Sequence, residues 1–193
     1  MDMGKIILDL CGGTGSWSKP YVDSGYDVRN ITMPDFDVRT YMPPEGVYGI
    51  LAAPPCTQFS FARARNTNLK KPRDLIGGME LIYSCLKIIW ECQYKIEKQS
   101  SKKTTLKFWA LENPNGFLKH FLGKPSFVFD PWEFGDMYKK RTHLWGWFSN
   151  PKKTWFVKPS VPKFGYDKKI KSDPKSRSIT PQGFAKAFFE ANK

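Results

Sequence analysis

Two side chains that could form a catalytic pair each stand at the end of an apolar run. Cys56 comes after two prolines that close the run 47–53, and Glu112 ends the run 107–112 before an Asn-Pro-Asn-Gly turn. A thiol on a stiff loop can attack an electrophilic ring, and a carboxyl group in a dry pocket can keep its proton. Each also has a structural explanation when taken alone, Cys56 as a small buried side chain and Glu112 as a turn cap. Their chemistry depends on the fold that positions them.

A glycine-rich turn, residues 11–17 (CGGTGSW), follows the first apolar run, residues 5–10. Glycines tolerate positive φ and let the main chain approach a ligand closely. The segment lacks the last glycine of the G-x-G-x-x-G dinucleotide fingerprint and the lysine of a P-loop, which disfavours phosphate binding. Taken alone, the turn fits S-adenosylmethionine, a dinucleotide or a plain sharp turn.

Apolar runs alternate with helical patterns along the chain, which predicts an α/β fold with a mostly parallel central sheet flanked by helices. Apolar residues recur near a 3.6-residue period between 73 and 98, which predicts the longest helix. The predicted strands are 5–10, 25–32, 47–53, 107–112, 127–129 and 142–148, with room for one antiparallel edge among the last two. Ligands bind outside the carboxyl ends of the strands in such sheets. The candidate residues all lie at or just after a strand's carboxyl end.

The length of 193 residues predicts a single domain over 1–193, and 40% hydrophobic residues supply a core. The formal net charge is +13, of which +8 falls within residues 151–193. Charge of this kind suits either a polyanion-binding face or a solvated lysine-rich surface. Residues 150–180, rich in lysine, proline and serine, are predicted to form an irregular basic loop.

Several classes of protein are disfavoured by what the sequence lacks. No apolar stretch is long enough for a membrane span and no signal peptide is recognisable, so we expect a cytoplasmic protein. The four cysteines form no C-x-x-C pair and only two histidines are present, so neither a disulfide framework nor a metal site is expected. Cys85 and Cys92 lie in the helical pattern and are predicted to be buried.

Three motifs, in order, resemble the first, fourth and sixth motifs of the cytosine C5-specific DNA methyltransferases. They are Asp9–Trp17 (DLCGGTGSW), Pro54–Ser60 (PPCTQFS) and Glu112–Pro114 (ENP). Thinner similarity extends to Asp37-Val38 in the third motif, to 138–142 in the eighth and to 180–184 near the C-terminus. The resemblance covers nearly the whole chain and is strongest to the short members encoded by bacteriophages, which would place the protein in the host cytoplasm.

This resemblance implies an S-adenosylmethionine-dependent methyltransferase (Rossmann-like) fold and methyl transfer to carbon 5 of cytosine in DNA. It implies that Cys56 attacks C6 while Glu112 stabilises the ring at N3, with the base outside the helical stack. The first arginine of the eighth motif aligns with Lys140 or Arg141, and both remain candidates. The residues implied to bind S-adenosyl-L-methionine are Leu10, Cys11, Gly12, Gly13, Thr14, Gly15, Ser16, Trp17, Asp37, Val38, Pro55 and Gly183.

The chain departs from the family pattern in three places. Cys11 stands where the family has a phenylalanine, and no clear counterpart of the acidic residue that binds the ribose occurs at 32–35. The basic loop 150–180 occupies the place of a target recognition domain, so we expect weak sequence specificity. The alternatives are an RNA (tRNA) cytosine C5 methyltransferase, an inactive nucleic-acid-binding relative, and an enzyme that uses a folate donor; the oligomeric state stays open.

Overall fold

The computed structural model describes residues 4–64, 72–94, 105–156, 160, 176 and 178–193. The strands are β1 (Ile6–Leu10), β2 (Asp27–Ile31), β3 (Val47–Ala52), β4 (Phe108–Pro114), β5 (Phe127–Phe129) and β6 (Thr142–Trp147). The helices are α1 (Lys19–Asp23), α2 (Phe61–Ala64), α3 (Leu75–Tyr94), α4 (Lys119–Leu122) and α5 (Gln182–Ala191), with a 3-10 helix at Pro131–Phe134. The predicted strands are confirmed to within two residues at each end. The longest helix, predicted over 73–98, is α3, and it begins at Leu75, two residues after the predicted start. Residues 95–98 of the prediction lie outside the described part of the chain.

The strands form one mixed sheet in the order β2-β1-β3-β4-β6-β5. β1 pairs in parallel with β2 and β3, and β3 pairs in parallel with β4. β6 is antiparallel to both β4 and β5, so it alone runs against the other described strands. The predicted α/β fold with a mostly parallel sheet is confirmed. The order differs from the seven-stranded order 3-2-1-4-5-7-6 of the methyltransferase fold.

Helices cover both faces of the sheet because alternate strand residues are apolar on each side. Helix α3 packs on one face, and α1 and α5 pack on the other. The α3 side buries Leu8, Leu10, Ile50, Ala52 and Leu111 against Ile82, Cys85 and Ile89. The α5 side buries Ile7, Leu51, Phe108, Ala110 and Leu144 against Phe184 and Phe188. Burial of this extent fixes the register of the central strands and thereby the positions of the loops that leave them.

One edge of the sheet, which we call the carboxyl edge, collects the ends of β1, β3 and β4. The antiparallel strand β6 starts there, since Thr142 lies opposite Pro114. β5 ends there, since Phe129 lies opposite Thr142. The connections that follow β1, β3, β4 and β5 therefore converge on one side of the molecule, as predicted from the sequence.

The described residues were expected to contain neither a membrane span nor a metal site. No described helix is both long enough and apolar enough to cross a bilayer. No group of three or more His, Cys, Asp or Glu side chains within the described ranges is arranged to hold a metal ion.

Candidate active site

The loop that carries Cys56 and the strand that carries Glu112 are joined by a buried hydrogen bond. Ala52, the last residue of β3, lies opposite Leu111 of the parallel strand β4, so the Cys56 loop leaves the sheet beside Glu112. Asn113 is fully buried, and its Nδ2 donates to the carbonyl oxygen of Pro54 at 3.1 Å. A proline offers its neighbours a carbonyl acceptor and no N–H donor, so this bond uses the one main-chain group that Pro54 has. A side chain of one motif thus fixes the main chain of the other, two residues before Cys56.

The Cys56 loop is closed by its own main chain. The Cys56 carbonyl accepts from the N–H groups of Phe59 at 3.0 Å and Ser60 at 2.9 Å. Phe59 is fully buried, and its carbonyl accepts from the N–H of Phe117 at 2.9 Å. Gly116 lies so close that a Cβ there would overlap the main chain of Phe59. These bonds hold the loop while the Cys56 side chain remains partly exposed, as a nucleophile requires.

Glu112 lies one residue before Asn113 on β4, opposite Leu144. Burial raises the pKa of the Glu112 carboxyl, and the positive charge of Lys140 partly offsets this. A carboxyl with a raised pKa keeps its proton at a higher pH than an exposed glutamate and can then donate a hydrogen bond. The environment of Glu112 therefore suits a group that must hold a proton against a ring nitrogen.

The two candidates from the eighth motif have different surroundings. Lys140 is half-buried and lies close enough to Glu112 for its charge to lower the pKa of that carboxyl. Arg141 is exposed, and its Nη1 lies 3.0 Å from Oδ2 of Asp130. The Arg141 carbonyl accepts from the N–H of Asn115 at 2.9 Å. The positive charge that acts on the candidate carboxyl is thus that of Lys140, and the side chain of Arg141 is engaged by Asp130.

The glycine-rich turn has the main-chain conformation predicted for it. Cys11, Gly13 and Gly15 have φ angles of 57°, 55° and 69°. The Gly15 N–H donates to the carbonyl of Gly12 at 2.9 Å, which closes the turn. A Cβ on Gly13 would meet nothing within 4 Å, so the turn presents bare main chain to open space. The hydroxyls of Thr14 and Ser16, which flank Gly15, are hydrogen-bonded to each other at 2.5 Å.

Asp9, which the sequence analysis did not single out as a site residue, lies buried directly beneath this turn. Its Oδ2 accepts from the Ser18 hydroxyl at 2.5 Å, and its Oδ1 finds no hydrogen-bond partner among the described residues. Burial raises the pKa of Asp9 to about 6, against the lowering effect of the Ser18 bond. Gly12 packs on the carboxyl so closely that a Cβ would overlap it. A charged residue inside the apolar run KIILDL was the signal that could have identified it.

The structure brings some predicted cofactor residues to the turn and places others in the core. Leu10 and Val38 are core residues on the α3 side. Trp17 is buried, and its ring packs at 5.3 Å from that of Phe188 and 5.9 Å from that of Phe184. A contact of Trp17 with a cofactor stays a prediction, since its ring contributes to the packing of α5.

Three further predicted residues lie at the carboxyl edge. Asp37 is bound by the Arg39 guanidinium at 2.6 Å, which holds its pKa at about 2. Pro55 is exposed beside Cys56. The Gly183 N–H donates to Oδ2 of Asp136 at 3.0 Å, which ties the start of α5 to the segment after the 3-10 helix.

Cys11 and Cys85 form a pair of hydrogen-bonded thiols between the turn and α3. The bond lowers the pKa of Cys11 and raises that of Cys85. The charges of Asp9 and Asp37 act on Cys11 as well, so both carboxylates lie near the turn. Cys85 is buried as predicted, whereas the prediction for Cys92 is wrong, because that residue is only half-buried.

No family model matches the chain, and no curated protein matches it significantly.

Proposed function

We propose that this protein transfers a methyl group from S-adenosyl-L-methionine to carbon 5 of cytosine in DNA, with Cys56 as the nucleophile. The observation that carries the proposal is the bond from Asn113 to Pro54. It joins the thiol loop to the strand end that holds a carboxyl of raised pKa, on neighbouring parallel strands. A thiol and a protonated carboxyl at one edge are what attack at C6 and activation at N3 demand. A protein that only binds nucleic acid needs neither.

The sheet order supports the same assignment. The methyltransferase order 3-2-1-4-5-7-6 has one strand more than this chain. When its edge strand 3 is removed and the remaining strands are renumbered along the chain, it becomes 2-1-3-4-6-5, which is the observed order. Residues 32–46, where strand 3 would fall, contain no strand or helix.

The residues of the turn fit a cationic cofactor such as S-adenosyl-L-methionine. Gly13 leaves room for close approach to the main chain, and positive φ at Cys11, Gly13 and Gly15 opens the turn. Asp9 offers a buried carboxyl oxygen with no partner in the described residues, and the charge of Asp37 is felt at the same turn. When bound, the cofactor supplies an electrophilic methyl group. Gly12 to Ser16 would hold its methionine part and Asp37 its adenine.

The reaction divides between the Cys56 loop and the end of β4 that carries Glu112. The Cys56 thiolate forms a bond to C6 of an extruded or unpaired cytosine, while Glu112 donates its proton toward N3 and takes up the charge that develops on the ring. C5 of the resulting enamine takes the methyl group, and S-adenosyl-L-homocysteine is the leaving product. Water accepts the C5 proton, the C5–C6 double bond re-forms, and the C6–S bond breaks to release the Cys56 thiolate. The proton on N3 returns to Glu112, which is then ready for another cycle. Lys140 stabilises the Glu112 carboxylate when it forms.

The experiment is a trapping assay with methyl-labelled S-adenosyl-L-methionine. A DNA strand with 5-fluorocytosine should form a stable protein–DNA adduct, because fluorine at C5 cannot leave as a cation. The adduct should vanish in Cys56→Ser and persist in Cys92→Ser, a matched change of a half-buried thiol on α3. The wild-type protein should transfer label to ordinary cytosine DNA.

Three results would overturn the proposal. Label found on RNA alone would favour the RNA (tRNA) enzyme. Tight nucleic-acid binding with no label on either polymer would favour an inactive binding relative. Methyl transfer that needs a folate in place of S-adenosyl-L-methionine would show that the proposed methyl donor is wrong.

A further inference from the structure

The chain after β6 forms a strap that runs back along the sheet, from the end where β6 finishes to the carboxyl edge where β6 starts. At the start of the strap, the Ser149 N–H donates to the side chain of Asn192 at 2.8 Å, at the end of α5. At its other end, the N–H groups of Thr154 and Trp155 donate to the carbonyl of Glu133 at 2.9 and 3.2 Å. Glu133 belongs to the 3-10 helix that follows β5 at the carboxyl edge. Residues 149–156, which we call the return strap, therefore end against the 3-10 helix that follows β5.

The support under the end of the strap is a network of charged groups. Lys153 lies 2.7 Å from Oε1 of Glu133, which is itself buried. Oε2 of Glu133 accepts from the Asp130 N–H at 2.6 Å, and Asp130 pairs with Arg141 at 3.0 Å. Arg141 is next to Lys140, whose charge acts on Glu112. The strap end is thus connected through bonded groups to Arg141, at the start of β6.

The strap ends on two aromatic side chains that face solvent. Trp155 is 47% exposed and Phe156 is 80% exposed, whereas the aromatic rings of α5 and the core are almost fully buried. Lys152 is exposed beside them, and Lys139, Lys140 and Arg141 lie at the same edge. Two described carboxylates under the strap end, Asp130 and Glu133, are bound by Arg141 and Lys153. The surface around the two rings is therefore basic and apolar together.

We propose that Trp155 and Phe156 form a platform on which unpaired bases stack next to the target cytosine, so that the substrate is single-stranded at the target. Aromatic rings beside a basic surface suit a nucleic-acid strand, since the rings take base faces and the lysines take phosphates. Bases within a duplex have no free face to offer. The main-chain bonds to Glu133 hold Trp155 in position before any strand binds. The proposal rests on the proposed function only for the identity of the target base.

The test compares binding of a fluorescent cytosine-containing single strand and of its duplex, by anisotropy and without cofactor. Replacing Trp155 or Phe156 with alanine should weaken single-strand binding by about tenfold or more, the effect of losing one stacked base. Trp155→Phe should restore most of it. The matched control is Trp147→Ala, because Trp147 is 60% exposed at the other end of β6, opposite Trp109 and away from the site. It should leave binding within about twofold.

Each outcome bears on the platform separately from the chemistry. The platform is rejected when Trp155→Ala and Trp147→Ala bind the single strand alike with unchanged melting temperatures, or when the wild type binds the duplex more tightly. The same anisotropy measurement with an RNA strand of the same sequence shows whether the platform prefers DNA or RNA. Loss of binding in Trp155→Ala, without methyl transfer by the wild type, keeps the platform and rejects the enzyme. Methyl transfer that Trp155→Ala leaves unchanged does the reverse.

Discussion

Replacing Asp9 with asparagine is expected to remove a pH dependence from the stability of the folded chain. The carboxyl is fully buried, and burial raises its pKa from 3.8 to about 6. Between these two values the folded state holds a proton that the unfolded chain has released. The free energy of unfolding contributed by this group is therefore greatest below pH 3.8 and falls as pH rises to about 6.

The magnitude follows from the pKa difference. At about 1.4 kcal/mol per pKa unit, a rise from 3.8 to about 6 corresponds to about 3 kcal/mol. The asparagine side chain of the variant would stay neutral at every pH and could still accept from the Ser18 hydroxyl. The difference in unfolding free energy between Asp9→Asn and the wild type should therefore shift by about 3 kcal/mol in favour of the variant as the pH increases. Most of the shift should occur between about pH 4 and 7.

Urea unfolding followed at a series of pH values measures this difference directly. Asp37→Asn is the matched control with the opposite sign. The Arg39 guanidinium lowers the pKa of Asp37 to about 2, so its stabilising contribution is present at neutral pH and is lost as pH falls toward 2. A constant difference between Asp9→Asn and the wild type from pH 4 to 8 would refute the argument, because the buried carboxyl would then titrate as it does in the unfolded chain.

Five further substitutions have expected outcomes. Glu112→Gln should lower kcat by about 100-fold or more, which is the usual contribution of an acid–base group. Lys140→Met should move the fall of the rate at alkaline pH to higher pH, because removal of the positive charge raises the pKa of Glu112 further. Asn113→Ala should slow adduct formation without changing the KM for cofactor, whereas Asn30→Ala, which removes a bond to the carbonyl of the glycine-rich turn, should raise that KM with kcat nearly unchanged. Gly183→Ala should lower the unfolding free energy by about 1–3 kcal/mol in thermal or urea unfolding, since a Cβ would overlap the carbonyl of the 3-10 helix.

The central strands β1, β3 and β4 could be predicted from the sequence because they are largely buried on both faces. A strand covered by helices on both sides is a short continuous apolar run, and β1, β3 and β4 each have that form. The two loops at the carboxyl edge then follow from the parallel order of the strands. The four-residue helix α2 was not predicted, since it is too short for a periodic pattern.

The electrostatics of the site could not be predicted in the same way. The pKa of Asp9 depends on how Gly12 and Ser18 close over it, which is a property of the folded turn. The choice between Lys140 and Arg141 depends on which side chain faces Glu112, and neighbouring residues of similar charge give no signal of direction. The burial of Trp17 against α5 joins residues from opposite ends of the chain, beyond the reach of any local pattern.

Under the proposed assignment, the described sheet has one strand fewer than the methyltransferase order, and the place of that strand explains how a chain of 193 residues can keep every proposed catalytic group. The proposed catalytic side chains come from the ends of β3, β4 and β6, and the proposed cofactor turn follows β1. Among the described residues no strand pairs with the outer side of β2, the side away from β3 and β4, where strand 3 of the methyltransferase order would lie. That free edge carries the exposed pair Asp27 and Arg29, 3.0 Å apart, and charges of this kind oppose pairing with another strand. The described sheet is thus shorter where no proposed catalytic group depends on it, and under the proposed platform Trp155 and Phe156 of the return strap would take the place of a recognition domain.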